Sequence, residues 1–404
     1  MNIWCISKYS ALPNYGAGAR LFYLAKEFNR NGNNALLITS DSNHLASFPE
    51  TNKKYNFESV EGLDVLWLKT RKYTKTASIS RILSWFDFEL GLFRLDRKTL
   101  PVPDSIIVSS LSILTILFGW YLKRKYKAKL IFEIRDIWPL TMVEEGGFNR
   151  FHPLVLFIGW IEKFGYKKAD LISGTMPRLD KHVEETLGYA RPFFCSPLGF
   201  DPALFAERYA AELGRLDEYF PEDKVIIGYA GSMGISNNLE PFVKCIEKFE
   251  SEEKIHFVLV GGGDLREQYE SRLSGTTNVT FVPRLKSSEV PAFLKRCDIL
   301  YLSTHDSRVW DFGQSMNKVV EYMYAGKPVI ASYSGYRSML NEANSGIFVP
   351  SNDVKKLQES IKCYAEMSEA ELEEIGKRGY EWILKHRTFG ALGKEYLDAI
   401  EAIA

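Results

Sequence analysis

Short β-branched runs alternate with amphipathic stretches along almost the whole chain, and few folds accommodate that alternation. Runs at 2–7, 34–39, 63–68, 105–109, 129–134, 171–174 and 193–196 read as strands. Over 20–31, Leu21, Leu24, Ala25 and Phe28 recur at helical spacing. Strands separated by helices imply parallel sheets, because a parallel pair cannot be closed by a tight turn. A polar interval at 206–223 ends this series. A second follows, with strands at 225–229, 256–260, 279–281, 299–302, 329–331 and 346–349, and helices at 239–249, 265–273, 290–296, 315–324 and 354–367. The 404 residues suffice for two cores of roughly 200 residues each. The expected organisation is therefore two doubly wound α/β domains, 1–204 and 205–387. The helical stretch 369–404 breaks near Arg387-Thr388-Phe389-Gly390, so that 388–404 returns to the first domain.

An apolar fraction of 46% with 25% charged residues belongs to a globular protein and excludes a disordered or fibrous one. Lys+Arg and Asp+Glu balance at 51 each, which argues against nucleic acid as a partner. The balance is uneven, since 51–129 carries 15 Lys and Arg against 7 Asp and Glu, interleaved with aromatic residues. Cys5, Cys195, Cys245, Cys297 and Cys363 show no metal-ligand or disulfide spacing, which fits a reduced, cytoplasmic setting. The opening Met1-Asn2-Ile3-Trp4-Cys5-Ile6 starts a strand at once and has no signal-peptide pattern. Residues 106–122 carry no charge over 17 positions, the lower limit for a bilayer span. Three serines and the closing Lys123-Arg124-Lys125 favour a buried strand followed by an apolar helix.

Open α/β sheets bind ligands beyond the carboxyl ends of their strands, so chemistry is expected in the loops that follow them. The first such loop, Pro13 to Arg20, carries Gly16 and Gly18 ahead of a helix; its amides suit an anion, and an ordinary tight connection is the alternative. Ala230-Gly231-Ser232 permits close backbone approach to a phosphate, with Ser232 adding a hydroxyl; a plain glycine-rich turn is the alternative. Gly261-Gly262-Gly263 reads as mainly structural. The segment 312–330 is the most specific, because Ser315, Lys318 and Glu321 recur at helical spacing and share one face near a helix start. A cation beside a phosphate and a carboxylate accepting two ribose hydroxyls suit that arrangement, as does a solvated salt-bridge face. Asp136, flanked by Arg135 and Trp138 after a strand, reads as an acceptor-side polar group or as a helix N-cap.

The run from Glu321-Tyr322-Met323 to Gly326-Lys327-Pro328-Val329-Ile330 resembles the donor-binding signature of family 4 retaining glycosyltransferases. Phe132-Glu133-Ile134-Arg135-Asp136-Ile137-Trp138-Pro139, Pro197-Leu198-Gly199-Phe200-Asp201 and Tyr229-Ala230-Gly231-Ser232 extend the resemblance in order over nearly the full chain, nearest to the WbuB-like branch that builds bacterial surface polysaccharides. The resemblance implies a GT-B fold with two Rossmann-like domains facing an interdomain cleft, a nucleoside-diphosphate sugar (UDP-sugar favoured) on the second domain, an acceptor on the first, and neither cofactor nor metal. Glu321 would contact the ribose. Lys318, Gly231 and Ser232 would lie near the diphosphate, Arg284 near base or phosphate, and Ser315 and Asn317 would complete the donor site. Asp136 and Arg135 would face the reacting sugar, with Lys318 as the third catalytic group. Gly16, Gly18 and Arg20 would form an acceptor or phosphate loop. Two departures stand out: Gly313 occupies the position of the usual first motif acid, with Asp311 two residues earlier, and no basic residue follows Gly231 in its loop. A sugar-nucleotide 2-epimerase and a non-catalytic glycan-binding partner are the alternatives. The basic, aromatic tract (Arg71-Lys72-Tyr73, Trp85-Phe86, Phe93-Arg94 and 123–127) suggests peripheral contact with the anionic cytoplasmic face of an inner membrane, suiting a polyprenyl-linked glycan acceptor.

Overall fold

The computed structural model describes residues 1–403 except 16–18, 43–47 and 74–77. The chain divides into two compact units, Met1–Gly199 with Phe389–Ala404, and Phe200–Thr388. In the first unit, the described strands are β1 (Asn2–Ile6), β2 (Asn34–Ser40), β3 (Tyr55–Val60), β4 (Leu63–Leu68), β5 (Ser105–Ser109), β6 (Lys129–Ile134), β7 (Leu171–Gly174) and β8 (Phe193–Cys195). They form one sheet in the order β3-β4-β2-β1-β5-β6-β7-β8. Its helices are α1 (Arg20–Arg30), α2 (Ile79–Arg94), α3 (Thr115–Tyr126), α4 (Leu140–Glu144), α5 (Pro153–Lys168) and α6 (Leu179–Leu187). The charge-free stretch at 106–122 is thus β5 running into α3, and none of the described helices is long and apolar enough to cross a membrane.

The second unit carries β9 (Val225–Ala230), β10 (Ile255–Val260), β11 (Val279–Val282), β12 (Ile299–Ser303), β13 (Val329–Ser332) and β14 (Gly346–Val349), ordered β11-β10-β9-β12-β13-β14 and parallel throughout. Its helices are α7 (Pro202–Ala210), α8 (Glu240–Lys248), α9 (Arg266–Arg272), α10 (Val290–Arg296), α11 (Asn317–Tyr324), α12 (Val354–Ala365) and α13 (Glu369–His386). Both faces of this sheet are covered. Ile227, Phe257, Leu259 and Tyr301 pack into one apolar layer, and Ile226, Val258, Val260 and Leu300 into the other, as the alternation of strand side chains requires.

The polypeptide changes unit at Gly199/Phe200, five residues before the expected boundary. Phe200 packs on Phe205 and on Tyr324 of α11, with ring centroids 4.9 and 5.3 Å away, so residues 200–204 share the second core. Beyond the break at 387–388, α14 (Phe389–Glu401) returns to the first unit. There Phe389 stacks on Tyr23 at 4.8 Å, and Tyr396 meets Phe28 at 5.6 Å and Phe194 at 5.5 Å.

One strand escaped the periodicity argument. β3 pairs antiparallel with β4 through a two-residue turn in which Glu61 and Gly62 both take positive φ, 51° and 80°. Such turns match the twist of the strands they join. Tyr55–Val60 is an edge strand only partly buried, so it lacks the apolar run that marks its neighbours.

A buried ion pair braces the first unit. Arg20, at the start of α1, donates from Nη1 to Glu133 Oε2 of β6 at 2.7 Å and from Nη2 to the carbonyl and hydroxyl of Ser196, each at 2.7 Å. Removing one member of such a pair leaves the other charge buried without compensation, a cost of about 3–5 kcal/mol. Arg20→Met is therefore expected to lower the unfolding free energy of the first unit by that amount, read from its urea unfolding curve by tryptophan fluorescence. The double change Arg20→Met with Glu133→Leu is expected to recover most of the loss.

Candidate functional site

Three loops and one helix of the second unit close around a cavity of about 500 Å³ at the carboxyl end of the sheet. Ala230 ends β9 and Gly231 and Ser232 follow it, Gly261, Gly262 and Gly263 follow β10, Arg284 and Leu285 follow β11, and Lys318 and Glu321 come from α11. Their position obeys the rule that the crossover connections of a parallel sheet leave ligand-binding loops at the strand ends.

The two glycine turns interlock through their backbones. Gly231 N donates to Val260 O at 3.0 Å, and Met233 N to Gly262 O at 2.8 Å. Gly261 sits at φ +144°, and a Cβ there would lie 1.7 Å from the Gly231 carbonyl oxygen. The glycine run after β10, which the sequence presents as structural, is thus structural and cavity-lining at once. Arg266 of α9 donates to the Gly261 carbonyl and holds Glu270 at 2.7 Å, which steadies the turn from behind.

Lys318 enters the cavity over the ring of the fully buried Tyr229, its Nζ 4.4 Å from the ring centroid and 3.2 Å from the phenol oxygen to which it donates. That phenol donates to Ser232 O at 2.7 Å. A Cβ on Gly231, at φ +159°, would stand 2.5 Å from Lys318 Nζ, so the ammonium reaches this place only past a residue without a side chain. Burial penalises the charged form and pushes the Lys318 pKa down to about 8, while the Glu321 carboxylate works in the opposite sense. Tyr322, one residue beyond Glu321, completes the end of β9: its hydroxyl accepts from Ala230 N at 3.0 Å and donates to Ala230 O at 3.1 Å.

Glu321 is held from α7. Arg208 Nη2 lies 3.2 Å from Glu321 Oε1, and Tyr209 OH donates to the Glu321 carbonyl at 2.7 Å. Neither residue is signalled by a motif; each acts through a contact formed only on folding.

Gly231, Ser232, Arg284, Lys318 and Glu321 therefore share one cavity. Ser315 and Asn317 do not line it: Ser315 lies in the extended link before α11, and Asn317 is exposed at its first residue. Gly313 is buried at φ +97°, a left-handed conformation that disfavours the acidic side chain usual at this motif position. Asp311 is exposed in the short turn Arg308–Phe312 and does not line the cavity.

In the first unit, Asp136 is exposed after β6 and Arg135 is half-buried, its amide donating to Ser110 Oγ at 3.0 Å. The N-cap reading of Asp136 is corrected, since α4 begins at Leu140 with Pro139 at its cap. Arg20 is corrected as well: its guanidinium is spent on Glu133 and Ser196 and is not presented to a ligand. Gly16 and Gly18 lie outside the described residues. Among the described residues, no three His, Cys, Asp or Glu side chains gather to hold a metal ion.

The basic, aromatic tract is only partly presented. Arg71 pairs with Asp87, Lys72 with Asp41 and Lys123 with Asp170, and Tyr73 is buried. What the first unit does present is apolar. On α2, Ile79, Ile82, Leu83, Phe86, Leu90 and Phe93 are each 38% to 75% exposed, and their spacing puts them on one stripe. Leu156, Phe157 and Trp160 of α5 are exposed too.

Residues 224–366, which include every residue lining the cavity, match the family described as glycosyl transferases group 1. No curated protein matches the chain. Among solved structures, a sucrose-phosphate synthase from Thermosynechococcus elongatus is 17% identical with a TM-score of 0.70, over 100% of this chain and 98% of that one. A trehalose-6-phosphate structure from E. coli bound with UDP-2-fluoro glucose is 13% identical with a TM-score of 0.72, over 100% of both chains. Anabaena HepE in complex with UDP is 13% identical with a TM-score of 0.66, again over 100% of both. The fold of the chain is thus the two-domain GT-B fold, with a glycosyl transferases group 1 domain in its second unit.

The depressed Lys318 pKa makes anion binding pH-dependent. A diphosphate beside the ammonium favours the charged form and raises its pKa back toward the ordinary 10.5, so binding takes up a proton as pH rises through about 8. The affinity of the cavity for a diphosphate whose own charge is fixed over the range is expected to be flat below about pH 7 and to fall above pH 8, by up to about tenfold per pH unit. Calorimetry at pH 8.5 in buffers of different ionisation enthalpy reads that proton directly, and Lys318→Met is expected to abolish it.

Proposed function

We propose that this chain transfers a sugar from a nucleoside-diphosphate sugar, a UDP-sugar in the first place, to a hydroxyl of a glycan or lipid-linked glycan acceptor. The observation that carries the reading is the meeting of Lys318, Glu321 and two glycine turns around one cavity. The structural neighbours that hold UDP or a UDP-sugar support the choice of nucleotide.

In this reading Glu321, steadied by Arg208, accepts the two ribose hydroxyls. The Gly231-Ser232 turn and the start of α11, where no side chain caps the first amides, receive the diphosphate. Negative charge grows on the departing diphosphate as the anomeric carbon becomes cationic, so preorganised donors are the main source of rate, each worth about 3 kcal/mol. Lys318 and Arg284 supply the cationic part without an obligatory metal. Arg135 and Asp136 serve the reacting sugar and the acceptor hydroxyl from the first unit, and transfer proceeds with retention, as the family 4 resemblance implies. The same resemblance assigns the product to bacterial surface polysaccharide. The exposed stripe of α2 and the exposed aromatics of α5 support peripheral contact with an anionic membrane surface.

The test is calorimetry of the full chain against UDP, GDP and their sugars, with and without Mg²⁺, followed by turnover. One nucleotide is expected to bind without metal, and Glu321→Ala to weaken it by at least about tenfold, the worth of a charge-assisted hydrogen bond. Lys318→Ala is expected to lower turnover by about 10²–10³-fold; near-wild-type turnover in that variant would refute the assigned role. Failure of every nucleotide to bind would replace transfer by the glycan-binding reading.

A further inference from the structure

The first unit holds a second cavity, of about 350 Å³, between the β3–β4 hairpin and α2. Its charge is unbalanced. Lys54, Lys69, Arg71 and Arg94 line it against a single carboxylate, Asp87. Asp87 is already committed, accepting from Arg71 Nε at 2.9 Å and from the Arg71 amide at 3.2 Å. Among the described residues no carboxylate pairs with Lys54, Lys69 or Arg94. Lys54 and Lys69 are held side by side where the hairpin continues past its last residue pair, the Lys69 amide donating to Lys54 O at 3.1 Å. Like charges gathered around one concave surface repel one another and are relieved by an anion.

Apart from Thr70 and the phenol of Tyr55 the rest of the lining is apolar, and Leu90 belongs both to it and to the exposed stripe of α2. The stripe therefore runs into the rim of a cationic cavity. An anion with a long hydrocarbon tail matches both parts: the head neutralises the cations, and the tail lies where six large apolar side chains stand in solvent. A soluble phosphate would use the cavity and leave the stripe unexplained. A plain anionic surface would use the stripe and the general charge and leave the cavity unexplained.

We propose that this cavity binds the phosphate or diphosphate headgroup of a lipid whose chain lies along α2. The proposal rests on the lipid-linked-acceptor reading only for the role of that lipid in transfer; the binding itself does not depend on the nucleotide site.

Co-sedimentation of the full chain with vesicles tests it. Three compositions are compared: phosphatidylcholine alone, phosphatidylcholine with phosphatidylglycerol, and phosphatidylcholine with a polyprenyl phosphate. The wild-type chain is expected to prefer the polyprenyl phosphate vesicles over equally charged phosphatidylglycerol vesicles, and inorganic pyrophosphate to reduce that preference. Lys54→Ala with Lys69→Ala and Arg94→Ala is expected to lower binding to the polyprenyl phosphate vesicles by at least about tenfold. Phe86→Ser with Phe93→Ser is expected to lower binding to all vesicles. Equal binding to the two charged compositions, or wild-type binding by the triple variant, overturns the proposal. So does tight pyrophosphate binding without any binding to vesicles, which assigns the cavity to a soluble phosphate. Because all these substitutions lie in exposed positions of the first unit, retained UDP binding and an unchanged melting temperature identify a folded variant. A wild-type chain that prefers polyprenyl phosphate yet binds no nucleotide would sink the transfer reading and leave this one standing.

Discussion

Two backbone turns pass each other in the second unit more closely than any side chain permits, and the arrangement of the cavity above them depends on that approach. Gly261 lies against the Gly231 carbonyl, and Gly231 in turn leaves room for Lys318 Nζ. The ammonium then rests on Tyr229, whose hydroxyl ties back to Ser232 in the same turn. A cation is thereby held in a largely desolvated place, which is why its pKa falls, and among the described residues no carboxylate is bonded to it. A diphosphate bound as proposed would recover the energetic cost of that placement.

Glu321 shows a complementary arrangement. One turn along α11 from Lys318, it is not paired with that lysine but with Arg208, from a helix that precedes the whole second sheet. Lys318 and Glu321 thus both line the cavity without bonding to each other. A direct Lys318–Glu321 pair, the commonest outcome for opposite charges three residues apart on a helix, would have neutralised both groups.

The first unit spends its charges differently. Arg20 and Glu133 form a buried pair that joins α1, β6 and the chain beyond β8, and α14 closes over the same face through Phe389 and Tyr396. On the opposite side, the apolar stripe of α2 stays exposed even where Phe93 meets Phe118 and Tyr121 of α3, while the neighbouring cavity gathers cationic side chains. A helix that buries Phe88 and Leu92 on one face and exposes six large apolar residues on another serves two environments at once.

Much of this was legible in the residue order. The alternation of strands and helices, the two tandem domains, the return of the last helix and the strand-plus-helix reading of 106–122 all follow from periodicities that a chain carries locally, because each element must bury one face. Of Ser315, Lys318 and Glu321, expected on one helical face, only the last two lie on α11 and line the cavity, because the helix begins at Asn317. What a charge meets across the fold was not legible. Arg20 beside a glycine loop reads the same whether it faces an anion or a glutamate 113 residues away, and only the packed first unit selects Glu133. Arg208 carries no motif at all, and its partner Glu321 is also 113 residues distant. Edge strand β3 lacks the apolar run that marks a buried strand, so only its pairing with β4 reveals it. Local patterns thus determined which elements form and which faces they bury, whereas the tertiary structure decided which charges pair and which remain free for a ligand, because those choices depend on contacts between segments far apart in the chain.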